Sequence, residues 1–160
     1  MIRLAGALLV VGASATLGFF ASAMYREQAR QLEGFVILIS HISAQIDGFL
    51  SPLSEIFASF KNKSLEKCGF LTALSEMGGA EALSFCRSRL YLSDEELGEL
   101  ERFFSGLGHH SPEEEMRHCA YYEKKMTAFS ARAADRLSGK VKICKSFGLL
   151  IGVMLAVMLL

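Results

Sequence analysis

The stretch GHHSPEEEMRHC, residues 108–119, gathers His109, His110, Glu114, His118 and Cys119 within twelve positions. These are ligand types for zinc, which takes nitrogen, sulfur and carboxylate oxygen in tetrahedral sites. Glu114 and His118 stand four residues apart, so on a helix they share one face. The spacing argues the other way. His109 and His110 precede the helix cap, and neither HExxH nor a paired-cysteine pattern is present. The plainer reading is an exposed loop followed by a helix start, where Glu113 to Glu115 suit the positive end of the helix dipole. Elsewhere the chain has no GxxxxGKS/T and no GxGxxG, the glycine loops that hold phosphates. It has no GxSxG, and no serine has an evident base beside it. The sequence therefore predicts no catalytic, cofactor-binding or metal residue, and no enzyme.

Charge excludes another class. Seventeen Lys and Arg balance seventeen Asp and Glu, so no net field gathers nucleic acid. The charges separate locally. Asp94, Glu95, Glu96, Glu99 and Glu101 lie close together, with Glu113 to Glu115 beyond them. Arg117, Lys124, Lys125, Arg132, Arg136, Lys140, Lys142 and Lys145 follow. This reads either as a solvated acidic turn and a solvated basic helix face, or as polar docking surfaces. Asp94, Glu95, Glu96, Glu99 and Glu101 are the partner-docking candidates. The four cysteines, Cys68, Cys86, Cys119 and Cys144, form no CxxC and fall where small core hydrophobes fit. Buried free thiols are expected, with a disulfide open only outside the cytoplasm.

The 160 residues allow one domain at most. Hydrophobic residues make up 51% of the chain, and the excess sits at the two ends. No ionisable side chain occurs from Leu4 to Met24, or from Ser146 to Leu160. The first run reaches about 30 Å as a helix, the depth of a bilayer core. A cleavable signal peptide ending at Ala21-Ser22-Ala23 is the competing reading. Against it, the run is long and MYREQARQLEGF continues a helical pattern. The second run reaches only about 22 Å. Val141, Ile143 and Cys144 lengthen its apolar face while Lys142 and Lys145 snorkel to the interface. A re-entrant helix is the alternative there. Arg26, Arg30, Lys140, Lys142 and Lys145 flank the runs on their inner sides, which places the middle in the cytoplasm. Ser14, Gly18 and Ser22, and Gly148 with Gly152, put small residues four apart, the spacing at which helices approach closely in lipid.

Between the ends the repeat is near 3.6 and no strand is convincing. Leu32, Phe35, Val36, Ile39, Ile42 and Ile46 mark one helix face. Ser51-Pro52 is expected as a cap with proline at the first helical position. Ser64 to Met77 reads as a helix ended by Gly78-Gly79, and Ala80 to about Leu92 as the next. Ser93 with Glu96 and Ser111 with Glu114 are capping boxes. The first opens a helix burying Leu97, Leu100, Phe104 and Leu107. From the second a single long helix runs to the carboxy terminus, with Cys119, Tyr122, Met126, Phe129, Ala133, Leu137 and Val141 on its apolar face.

Three stretches resemble the stage III sporulation protein AB family. Arg30-Gln31 stands just past the first apolar run, followed by a helix and then Pro52-Leu53 with Glu55. Leu107-Gly108 closes an apolar segment before the long last helix. Lys142, Lys145, Phe147 and Gly148 lead into the terminal apolar run. The resemblance covers both ends well and residues 60–105 hardly at all. Gln45 stands where an acid is usual, and His109 where an aspartate is usual.

The resemblance implies a role in the channel-like complex between mother cell and forespore. The family's domain is similar to the cytoplasmic domain of the type II secretion platform protein, the F component. It would sit beside a cytoplasmic secretion-type ATPase and couple it to other membrane components of the channel. The sequence thus predicts an all-α, antiparallel helical bundle flanked by transmembrane helices: a span over 4–24, a cytoplasmic domain over 25–141, and a span over 142–160. Expected partners are the lipid bilayer, the other channel components and the ATPase, with no nucleic acid, no small-molecule substrate and no cofactor. A generic membrane-anchored adaptor of a pilus or secretion system is the alternative.

Overall fold

The computed structural model describes the backbone of residues 2–49, 52–109 and 111–159, and within these the side chains of 23–46, 52–109 and 111–139. The described residues are all-helical, with no strand among them. Two 48-residue helices, α1 (Ile2–Phe49) and α7 (Pro112–Leu159), pack along each other. Five shorter helices fill the connection: α2 (Leu53–Ser59), α3 (Lys63–Lys67), α4 (Phe70–Met77), α5 (Gly79–Cys86) and α6 (Asp94–Gly106). A 3₁₀ turn, Arg87–Arg89, lies between α5 and α6.

Hydrogen bonds and close contacts set the directions. Gln28 of α1 donates to Glu96 at the start of α6 at 3.0 Å. Gly108, past the end of α6, lies against Leu53, which follows the end of α1. So α6 runs the same way as α1. It turns back into α7, since Lys125 meets Glu99 at 2.7 Å and His118 meets the Phe103 carbonyl at 3.0 Å. α7 is therefore antiparallel to α1.

The core is aromatic and crosses the bundle. Phe35, Phe70 and Phe103 are fully buried, each stabilising the fold by about 1.5–3 kcal/mol through lost apolar exposure. Phe35 meets Phe70 at 4.9 Å, Phe70 meets Phe104 at 5.9 Å, and Phe104 meets Phe103 at 5.1 Å. These tilted and edge-on distances suit the ring quadrupole. From Phe103 the series passes to Tyr122 of α7 at 5.5 Å. Cys119, Tyr122, Met126, Phe129 and Ala133 are all buried, as their spacing predicts, and Leu137 is half-buried.

Three expectations change. The helix expected over 64–77 is two helices, because Gly69 adopts φ +81° and turns the chain between α3 and α4. A left-handed residue cannot continue a helix, and glycine holds that conformation without strain. The helix expected over 80–92 stops at Cys86 and becomes the 3₁₀ turn. Pro52 precedes α2 at the cap position instead of its first turn; Ser51 lies outside the described residues. The capping box of α6 is complete: Ser93 Oγ accepts the Glu96 N–H, and the Glu96 carboxylate accepts the Ser93 N–H at 2.7 Å. Glu114 likewise accepts from the Ser111 N–H and hydroxyl, at 3.3 and 3.1 Å.

Among the described residues no helix is long and apolar enough to cross a membrane. The spans expected over 4–24 and 142–160 fall largely on residues whose side chains lie outside those described. Ser14, Gly18, Ser22, Lys142, Lys145, Gly148 and Gly152 are among these.

Candidate docking surfaces

Asp94, Glu95 and Glu96 stand in the first turn of α6, where the helix dipole favours carboxylates, and Glu99 and Glu101 follow along it. The helix then divides them. Asp94 points outward, its side chain 92% exposed, and meets the exposed Arg87 at 2.7 Å. Glu95 is exposed and Glu101 is half-buried, with Arg87 3.9 Å away. Glu96 and Glu99 are buried and spent on the fold. Glu96 closes the capping box and accepts from Gln28, joining α6 to α1. Glu99 binds Arg102 within α6 and Lys125 of α7, and its hydrogen bond raises the Lys125 pKa. Their burial follows from phase. Glu96, Glu99, Leu100 and Phe103 recur at three and four residues, so they share the inward face. That signal was present in the sequence beside the charge run.

The zinc-ligand types do not converge. His118 lies on Phe103, ring centroids 5.4 Å apart and 17° from parallel, and its Nε2–H donates to the Phe103 carbonyl. The partner is a carbonyl, so this nitrogen carries the proton. Glu114 caps its own helix. Cys119 is fully buried, and burial, helped by Glu115 and Glu123, pushes its thiol up to about 12. Burial also raises Cys68 and Cys86, and all three are free. Cys144 and His110 lie outside the described side chains. Among the described residues no group of three or more His, Cys, Asp or Glu could hold a metal.

Of the motif positions, Gln31, Leu53 and Gly108 join elements of the bundle. Gln31 is 1% exposed. Its carboxamide Oε1 accepts the Tyr91 N–H at 2.8 Å and its Nε2 donates to the Arg89 carbonyl at 3.3 Å. One side chain thus holds the carbonyl that ends the 3₁₀ turn and an N–H of the segment that leads from it to α6. Leu53 packs on the core, and a Cβ added to Gly108 would lie 3.0 Å from it. Pro52-Leu53 and Leu107-Gly108 therefore meet, and the Gly108 N–H donates to Glu115 at 2.9 Å. Arg30 and Glu55 are exposed; Arg30 lies 3.8 Å from Glu27.

The outer face of α7 is the other polar surface. Arg117, Tyr121, Lys124, Arg132 and Arg136 are exposed along it. Tyr121 is 59% exposed, unusual for a large aromatic, and stands edge-on to Tyr122 with Lys125 over its ring at 5.5 Å. Arg132 lies over Phe129 at 4.8 Å.

Compared with known families, residues 3–160 match the one described as stage III sporulation protein AB. No curated protein and no solved structure matches the chain.

Proposed function

The chain belongs to the stage III sporulation protein AB family, and from that premise we propose that it is a non-enzymatic membrane platform of the sporulation channel complex. In this reading the bundle over 25–141 sits in the cytoplasm of the mother cell. The uncharged runs over 4–24 and 142–160 hold it to the membrane. A cytoplasmic secretion-type ATPase docks on it, and other membrane components assemble around the spans.

One observation supports the docking most directly. α7 presents an exposed outer face carrying Arg117, Lys124, Arg132 and Arg136, with Tyr121 one turn past Arg117 and the acids Glu114 and Asp135 among them, on the same helix that continues into the terminal apolar run. Tyrosine and arginine are the residues that dominate binding at interfaces. A partner held there acts on a rigid rod leading to the bilayer. Basic residues on the rim steer an acidic partner, while Tyr121 supplies the apolar anchor. The similarity to the type II secretion platform protein belongs to this reading also, as the source of the ATPase partner.

The test is co-purification of the ATPase encoded beside this chain. Arg117→Glu with Lys124→Glu, and separately Tyr121→Ala, should abolish its recovery while leaving the helical content unchanged. Undiminished recovery from both variants would remove the face from consideration. A chromosomal neighbourhood without sporulation genes would remove the channel role.

A further inference from the structure

Two large apolar side chains stand exposed together at one end of the bundle. Met24 is 54% exposed and Tyr91 47%. Both line two adjoining clefts on α1, one with Tyr25 and Gln28, the other with Lys67, Ser88 and Arg89. The pair therefore forms the wall between them. Met24 closes the uncharged run that begins at Leu4. Gln31 holds the 89–91 segment against the next turns of α1, through the Arg89 carbonyl and the Tyr91 N–H. At 1.5 Å per residue, Gln31 stands about 10 Å beyond Met24. Helical side chains lean toward the amino end, which brings Tyr91 back to the turn of Met24 and Gln28, its neighbours in the cleft. Headgroups add about 5–7 Å to each side of a bilayer core. The wall thus stands within a headgroup's depth of the end of the uncharged run.

The charges around it are unevenly matched. Lys67 and Arg89 are both exposed. Lys67 lies 3.9 Å from Glu27, its side chain 76% exposed, a loose pair of the kind that contributes little. Arg89 forms no ion pair among the described residues. Arg87, beside it, is held by Asp94 at 2.7 Å. Glu27 and Asp94 are thus engaged by cations, while Arg89 is left to find an anion elsewhere. Glu95, four residues past Tyr91, is exposed, so the cationic surface stays local to the Met24–Tyr91 wall and does not extend over the start of α6.

We propose that this wall, with Lys67 and Arg89, rests in the headgroup layer and pairs with the phosphates of anionic phospholipid. The contact rests on the membrane-platform reading: with the run up to Met24 in lipid, this surface meets headgroups before a soluble partner can reach it. Tyrosine suits that layer, where its ring is sheltered and its hydroxyl stays wet. A guanidinium binds phosphate through a fork of donors, and basic residues beside a span are drawn to anionic lipid. The consequence is mechanical. Because Gln31 ties the Tyr91 segment to α1, a lipid contact there stops the bundle from swinging about the end of the first run, and fixes the direction in which the outer face of α7 points.

The chain has no tryptophan, so Tyr91→Trp places a single reporter in the full chain, reconstituted in phospholipid discs. In phosphatidylglycerol discs its emission should shift to the blue and lose most of its quenching by acrylamide; in phosphatidylcholine discs it should remain far more open. Lys67→Gln with Arg89→Gln should restore the quenching in phosphatidylglycerol. Tyr121→Trp, on the part of α7 beside Phe103 and away from Met24, should stay open in both lipids. Circular dichroism checks the helical content of each variant. Should the double substitution lower it, raised salt screens the same charges and should reopen position 91 with Lys67 and Arg89 intact. A position 91 that stays open in phosphatidylglycerol would overturn the contact. So would shielding that is equal in the two lipids and indifferent to the cations, which would mean that protein covers the wall. Shielding by inorganic phosphate alone, in neutral detergent, would assign the cations to a soluble ligand and overturn it too. A chain that co-elutes with the discs while position 91 stays open sinks this proposal alone. A chain that elutes apart from them sinks the platform reading, and the contact with it.

Discussion

Gln31 Oε1 accepts the Tyr91 N–H at 2.8 Å across sixty residues of sequence. The same carboxamide binds the Arg89 carbonyl, so one residue of α1 fixes the entry to α6 and, through it, the position of the acidic turn. Gln31→Leu keeps the apolar bulk and removes both bonds. Unmade hydrogen bonds of this kind cost about 1–3 kcal/mol. Urea unfolding should show that loss, and an unchanged midpoint would contradict the joint.

Two glycines respond in opposite directions. A Cβ on Gly79 would run into the Phe104 ring, so Gly79→Ala forces the α5–α6 packing apart, at about 1–3 kcal/mol. Gly98, inside α6, has open space around it. Gly98→Ala removes backbone freedom from the unfolded chain and should stabilise by about 0.5–1 kcal/mol. Thermal denaturation of the pair separates the effects, and Gly79→Ala with Phe104→Leu should recover part of the loss.

The carboxylates of α6 sort into two kinds. Glu99→Lys faces Arg102 and Lys125 across a buried position, and the melting temperature should fall. Asp94→Lys and Glu95→Lys act on exposed side chains, and the melting temperature should hardly move. Equal destabilisation by both kinds would mean that the division of the acidic run is wrong.

The thiols give a pH signature. Cys119 is pushed up to about 12, by burial first and then by Glu115 and Glu123. The folded state therefore keeps a proton that the unfolded chain releases near the ordinary thiol value. The stability from this group is full below that value and is lost as pH rises toward about 12. Cys68 and Cys86 are raised by burial as well and act in the same sense. In folded protein at pH 8, a thiol reagent should leave all three unmodified and react with them after unfolding.

Much of this arrangement is legible in the residues. Ser93 with Glu96 marks the start of α6, and the three-and-four spacing from Cys119 to Ala133 marks the inner face of α7, because both are local patterns. The break at Gly69 is not. A lone glycine in an apolar periodic stretch only weakens a helix, and packing on α1 decides whether the chain turns there. The joint at Gln31 rests on partners about sixty residues away, beyond any local pattern. The motif Arg30-Gln31 marked the position, and the structure supplies its physical reason. Glu96 and Glu99 were readable as inward from their phase with Leu100 and Phe103, but the run of charge around them points outward. The terminal runs stand apart: their lack of charge is plain in the sequence, and their side chains lie outside the described residues.

The central claim is that the bundle faces the cytoplasm while both ends are held in lipid. Labelling a single engineered cysteine, Glu95→Cys with Cys144→Ser, by an impermeant maleimide tests it most directly. The buried thiols stay silent, so only position 95 reports. The account predicts recovery of the chain with alkali-washed membranes, labelling in inverted vesicles, and none in intact cells. Labelling from outside intact cells, or recovery of the chain from the aqueous fraction, would contradict it.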